Sequence, residues 1–433
     1  MLCPRCGRFI DSAAVNYCPN CGYELGSYSV PILVQRNFSE WVPAPVPQKQ
    51  VPRGSRRNKA LALCLVFAII SGAVICIFQA SDDDQPYGKV EIQTATDDTY
   101  FELSGDFLVE MNILSVNLAD NGRIAFTLSD SVSSKYDYYV WTLFDRDHVS
   151  STSAYAYSEY RGNTVSKAEP VLYLLSQAIG EYDISVKCYV ESNGQRTYAA
   201  TYSGTVGYIG TITKEYTWIY QNTEYTAQTA FGYDYYRYYK NLNTNGRSVT
   251  NYGDTVSFVI YDDPVIGSLA ESLSSAYGNA DRNGQAFAQY IVSFVQICFG
   301  YPPFSSYMGA DKYQYGLSEY FAYPVETIFF GMGDCEDTSI LLSALFKALG
   351  FDTAVVIIPG HAVSAVSLEQ YSPGNYSTSS YEVLSQNIGG ETYYACETTV
   401  NRSLGIGLVS LAGYEGSPYS DYIGTEKYGF YVV

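Results

Sequence analysis

Residues 333–366 read GDCEDTSILLSALFKALGFDTAVVIIPGHAVSAV, and a helical period gives way to strand patterning within them. From Ile340 to Leu349 the residues Leu341, Leu345 and Ala348 share one helical face, and Gly350 ends the helix. Thr353–Ile358 is then a β-branched strand, Pro359-Gly360 turns it, and His361 opens a second strand to Val366. Cys335 therefore stands at or just before a helix N-terminus, where unpaired N–H groups and the positive end of the helix dipole favour a thiolate. Asp334, Glu336 and Asp337 oppose this, because nearby negative charge raises a thiol's pKa. Asp334 and Asp337 are alternatively helix caps. Thiolate formation then depends on a cationic partner, and His361 is the one histidine in this half of the chain.

Downstream, Thr392–Thr399 reads as a strand with Tyr393, Ala395, Glu397 and Thr399 on one face and Tyr394, Cys396 and Thr398 on the other. That spacing allows Glu397 to orient the His361 imidazole while Cys396 points away. A cysteine, a histidine and a carboxylate in these roles suit acyl transfer: thiolate attack, imidazolium protonation of the leaving amine, then attack by water or an amine. For an oxyanion the Cys335 backbone N–H is one natural donor, and Gln296, on the helix expected over Gln285–Phe299, is the candidate for the second.

Tyr323-Pro-Val-Glu-Thr327, Gly333-Asp-Cys-Glu-Asp337, Leu342–Gly350, Gly360-His361 and Glu397-Thr-Thr399 together resemble the transglutaminase-like cysteine peptidase superfamily, in its membrane-anchored prokaryotic, often archaeal, form. The resemblance spans roughly residues 255–433. It implies a papain-like α+β core with the nucleophile helix packed on an antiparallel sheet. It further implies Cys335 as nucleophile, His361 as general base and acid, and Glu397 in the place usually held by aspartate; no cofactor is expected for catalysis.

The rest of the chain reads as a multidomain protein, as 433 residues allow. Residues 86–212 carry strand patterning with Asn121-Gly122 and Asn193-Gly194 turns, which points to an immunoglobulin-like β-sandwich with one helical interruption at Ala168–Ala178. Cys188 alternates with Ile184, Val186 and Val190 and reads as a buried thiol, whereas His148 reads as a surface histidine. Residues 213–254 form a Tyr-rich connection in which Tyr233, Tyr235, Tyr236, Tyr238 and Tyr239 either stack on sugars or peptides or simply pack. The core domain follows over 255–433, opening with a helix over Val265–Tyr277.

At the other end, Cys3-Pro-Arg-Cys6 and Cys18-Pro-Asn-Cys21 are two knuckles able to close a tetrahedral thiolate site around structural Zn²⁺. Two disulfides are the alternative, disfavoured in a cytoplasmic segment. The zinc ribbon covers residues 1–26, and a Pro-rich basic linker covers 27–58. Ala60–Phe78 is a 19-residue run without a charge. As a helix it would extend about 28 Å, close to the thickness of a bilayer. A single transmembrane helix over residues 60–79 is expected, with a cleaved signal or a buried core helix as the alternatives.

Residues 1–59 carry eight basic and three acidic side chains, so the net charge of −19 leaves −24 on the remainder. The basic flank places the N-terminus in the cytoplasm and the later domains outside it. The acidic body argues against nucleic acid as a partner. The expected function is thiol acyl transfer on peptide or isopeptide bonds of surface proteins outside the cell, with hydrolysis favoured over amine-accepting cross-linking. The alternative is a cell-surface binding or adhesion protein that does not turn over. A cytoplasmic protein docking on the ribbon is a further expected partner.

Overall fold

A computed structural model describes residues 76–78, 90–93, 99–119, 123–128, 135–147, 155–161, 171–173, 179–242, 247, 249, 251–278, 284–302, 309–373, 381–400, 402–410, 419–422, 425 and 428–433. The expected ribbon with Cys3, Cys6, Cys18 and Cys21, the linker and His148 lie outside them.

The first half is strand-built. Its elements are β1 (Cys76–Phe78), β2 (Val90–Gln93), β3 (Tyr100–Gly105), the short helix α1 (Asp106–Glu110), β4 (Ile113–Ala119), β5 (Arg123–Leu128), β6 (Tyr138–Asp145), β7 (Tyr155–Arg161), β8 (Val171–Tyr173), β9 (Gly180–Ser192) and β10 (Gln195–Ile209). Seven strands form one antiparallel sheet in the order β1-β2-β3-β10-β9-β6-β7, and β4-β5-β8 form a second. Alternation explains the core. Tyr182, Ile184, Val186 and Cys188 of β9 and Tyr139, Trp141 and Leu143 of β6 are buried, and the residues between them face outward. Phe126 of β5 stacks on Trp141 at 5.3 Å between centroids, joining the two sheets. The expected Asn193-Gly194 turn closes β9 on β10, with both residues at positive φ (51° and 76°).

Three expectations are corrected here. Among the described residues the two sheets divide seven and three, so the strand set is not the immunoglobulin arrangement. Val171–Tyr173, inside the expected helical interruption, is a strand paired with β5. Cys76–Phe78, the last residues of the expected membrane helix, are strand β1, with Cys76 opposite Ile92 and Phe78 opposite Val90. An apolar run rich in β-branched residues suits a strand as well as a helix, because continuous hydrophobicity carries no period. Among the described residues no helix is long and apolar enough to cross a membrane; residues 60–75 lie outside them. The described fold is mixed α and β with several sheets.

The second half begins with the hairpin β11 (Thr211–Tyr220) and β12 (Thr223–Gly232), turned through Gln221 and Asn222 at φ 49° and 64°. Then come α2 (Tyr233–Asn241), α3 (Pro264–Tyr277), α4 (Gln285–Cys298), α5 (Ala310–Gln314), α6 (Pro324–Phe330) and α7 (Cys335–Ala348). Ile212, Tyr216, Trp218 and Phe231 of the hairpin belong to the same core as Leu269, Phe294 and Leu341, so the hairpin is part of the second body and not of the sandwich. In α2, Tyr233, Tyr236 and Tyr239 recur at helical spacing and are buried, which settles the tyrosine cluster as packing; Tyr238 alone is well exposed.

The sheet strands follow: β13 (Thr353–Ile358), β14 (His361–Ser367), β15 (Tyr381–Val383), β16 (Ser385–Ile388), β17 (Glu391–Cys396), β18 (Leu408–Ser410) and β19 (Gly429–Val432). Five of them form an antiparallel sheet in the order β16-β17-β14-β13-β19. One face, with Val355, Ile357, Ala362, Val366 and Cys396, packs into the helical core; the other, with Ala354, Val356, Val363, Tyr393 and Ala395, forms a separate core with Leu384 and Tyr419. Burial of residues such as Phe294 or Leu341 stabilises by about 1.5–3 kcal/mol each, which fixes α7 against the sheet and so fixes its first residue.

Candidate functional site

Cys335 is the first residue of α7, as its sequence setting requires. The approach to it is tight. A Cβ on Gly333 would sit 2.6 Å from Asp337 Cβ and 3.3 Å from Thr327 Cγ2, so only glycine lets the chain pass this close to the helix start. Asp334 takes the N-cap position, yet its side chain makes no capping hydrogen bond. Asp337 does not cap either; its Oδ1 accepts the Ala322 N–H at 2.8 Å and its Oδ2 accepts the Tyr315 hydroxyl at 3.1 Å.

Hydroxyls stitch the start of α7 to the sheet. Thr338 donates to the Asp334 carbonyl (2.6 Å) and lies 2.8 Å from Thr398 Oγ1, Ser339 donates to the Ala362 carbonyl (3.2 Å), and Ser343 meets Ser364 at 2.8 Å. All five of these threonines and serines are buried. Sequence reading followed the apolar face of α7 and missed this polar seam; its signal was Thr338, Ser339 and Ser343 recurring on an otherwise apolar helix.

His361 is the first residue of β14, opposite Ile358 across the two-residue turn, where Gly360 supplies a φ of 68°. Ser339 of α7 donates to the carbonyl of the next residue, Ala362, which brings the start of α7 and the start of β14 together. His361 Nε2 lies 2.9 Å and 3.2 Å from the two carboxylate oxygens of Glu397. Glu397 falls just beyond β17, whose ladder ends at Cys396, and not within a strand running to Thr399. It is nonetheless held firmly. Glu397 Oε1 accepts the Thr399 N–H (3.0 Å) and the Thr399 hydroxyl (2.7 Å). Burial alone would raise the Glu397 pKa, but the hydrogen bonds from His361 and Thr399 outweigh it and hold the carboxyl at about 2.

Gln296 is buried and occupies a different place from an oxyanion donor. Its Nε2 donates to the carbonyls of Glu397 (2.7 Å) and Leu404 (3.3 Å), and its Oε1 accepts the Leu404 N–H (2.9 Å). With those groups committed, Gln296 braces the backbone that carries Glu397.

The thiol faces a hostile field at rest. Cys335 Sγ donates to Glu336 Oε2 at 2.9 Å. Burial pushes the thiol well above its ordinary range, the charges of Glu336 and Asp334 add to this, and the Ala362 N–H pulls only weakly the other way. Tyr419, which sequence reading did not single out, stacks on His361 with centroids 6.1 Å apart. Cys396 is buried in the helical core, away from the site, and burial pushes Cys298 up to about 12.

No family model, curated protein or solved structure matches the chain.

Proposed function

We propose that the chain is a thiol acyl-transfer enzyme that hydrolyses peptide or isopeptide bonds, with Cys335 as nucleophile, His361 as general base and acid, and Glu397 as the residue that orients His361. The carrying observation is the Glu397–His361 pair at 2.9 Å, beside a thiol on the first residue of a helix. With Nε2 committed to Glu397, Nδ1 is the ring nitrogen left to take the thiol proton. The sulfur then bonds to the substrate carbonyl carbon, and the tetrahedral oxyanion collapses as the imidazolium protonates the departing amine. Water, deprotonated by His361, attacks the thioester and releases the acid and the free thiol. Since the resting thiol is bonded to Glu336, substrate entry must displace that contact before attack.

The second reading is a binding protein that uses the same fold without turnover, and the Cys335–Glu336 contact is the observation that favours it. Peptide-mapped iodoacetamide labelling near neutral pH separates the two. An enzyme labels at Cys335 in the wild type; if that thiol stays unlabelled while the protein is folded, binding is the better account.

We further propose, from the spacing of the two N-terminal knuckles, structural zinc on Cys3, Cys6, Cys18 and Cys21, tested by metal content before and after their replacement by serine. Without a membrane helix in the described structure, a location outside the cytoplasm rests on the change from basic to acidic sequence after residue 59. A membrane-impermeant thiol reagent applied to intact cells tests it.

A further inference from the structure

Beside the thiol, three buried aspartates converge from two elements. Asp311 lies on α5, Asp334 stands at the N-cap position of α7 and Asp337 sits in its first turn, and ligand oxygens of the three lie within 4.8 Å of one another. Asp311 also forms such a group with Glu319 and Glu336. Acidic clusters are common without an ion, so what this one leaves unbonded decides the matter. Asp311 Oδ2 accepts the Tyr320 N–H at 2.7 Å, whereas Asp311 Oδ1 and Asp334 Oδ1 are buried and accept nothing. Among the described residues, no lysine, arginine or histidine makes an ion pair with any of the three. Buried carboxylate oxygens without a partner are costly, and either a proton or a bound cation offsets that cost.

A neutral group points the same way. Gln314 stands three residues after Asp311 on α5, is buried, and has an Oε1 without any partner. Its Nε2 donates to the Tyr315 hydroxyl at 2.8 Å, which in turn donates to Asp337, so this amide borders the cluster.

We propose that Asp311, Asp334 and Asp337 bind a hard divalent cation, with the Gln314 amide oxygen as a further ligand. The donor set is all oxygen, which suits an ion such as calcium, whose six to eight oxygens lie about 2.3–2.6 Å away in flexible geometry. Magnesium demands near-octahedral geometry and keeps its waters, and zinc prefers nitrogen and sulfur. The positive end of the α7 dipole, roughly half a charge, opposes the cation but is outweighed by three carboxylates. The site stands independently of the acyl-transfer reading.

Full-length protein stripped with chelator and dialysed is titrated with calcium, magnesium and zinc, by calorimetry and by thermal unfolding. We expect one saturable calcium site and a rise in Tm of roughly 5 °C at saturation, with weaker magnesium binding. Asp311→Asn and Asp334→Asn, each checked for folding by circular dichroism, should weaken calcium by at least about tenfold and abolish the Tm shift. Iodoacetamide labelling of Cys335 is read separately, so failure of the enzyme reading leaves this result untouched. Absence of a calcium-dependent shift at millimolar concentration, wild-type binding in either variant, or tighter binding of magnesium than calcium would overturn the proposal.

Discussion

Glu397 is held ionised in a buried position. Burial works against its charge, and only the contacts with His361 and Thr399 bring the carboxyl down to about 2. A carboxylate depressed in the folded state contributes stability that is present above its unfolded value, near 4.5, and is lost as pH falls through the folded value. In that window the unfolded chain takes up the proton first. We therefore expect urea unfolding of the wild type to lose more stability between pH 5 and pH 2.5 than that of Glu397→Gln. Equal losses in the two proteins would mean that the His361–Glu397 pair is not formed in solution. The pairing was expected from the family resemblance and from a strand face shared by Ala395 and Glu397, but the strand ends at Cys396. Glu336 was legible too, as an acid beside the thiol, but its direct bond to Cys335 was not, because neighbouring side chains on a first helical turn can point in several directions. The role of Gln296 was misjudged for a related reason: a polar residue on an apolar helix announces burial or function without saying which.

Helices and strands place these residues more reliably than any single side chain. The helical period after Cys335 and the β-branched runs on either side of Gly360 identify α7, β13 and β14, and the alternation of Ile184, Val186 and Cys188 identifies β9 with its turn. The loop after β17 was beyond such reading. It has no period, and its position depends on Gln296, which lies 101 residues from Glu397 in sequence and yet donates to its carbonyl. Replacing Gln296 with Ala takes the side-chain partner from the Glu397 carbonyl and the Leu404 N–H, while the Leu404 carbonyl keeps its bond from Gln289 at 2.9 Å. We expect folded Gln296→Ala to turn over about 10- to 100-fold more slowly, since small misplacements of an orienting group cost on that order. Iodoacetamide labelling of Cys335 should remain. A variant with unchanged turnover would show that the α4 brace does not position Glu397.

The two cores are joined chiefly through α2. Buried Asp147, just after β6, accepts the hydroxyls of Tyr233 (2.7 Å) and Tyr236 (3.2 Å) and pairs with Lys240, while Arg237 pairs with Glu102 (2.8 Å) and Glu181 (2.9 Å). Packing was the favoured reading of the tyrosines, but composition could not foretell this joint, because Asp147 lies 86 residues from Tyr233 in sequence. Buried polar networks lose far more from one missing partner than from an isosteric replacement of both. Asp147→Ala should therefore split thermal unfolding, with the strand-built body melting ahead of the body that holds Cys335; a single transition at the wild-type temperature would count against α2 as the coupling element. The apolar run at 60–78 shows the opposite failing of sequence. Its hydrophobicity was plain and its secondary structure was not, and Cys76–Phe78 pair as a strand.

Whether this molecule performs acyl transfer at all reduces to whether a substrate acyl group becomes bonded to Cys335 Sγ. Full-length protein incubated with a peptide thioester, quenched in acid and mapped by mass spectrometry gives the answer. We expect one acyl adduct on the Cys335 peptide, absent in Cys335→Ala and formed at least about 10²-fold more slowly in His361→Asn, where the base is lost. An unmodified Cys335 in folded wild type, or an adduct formed as fast without His361, would contradict the assignment.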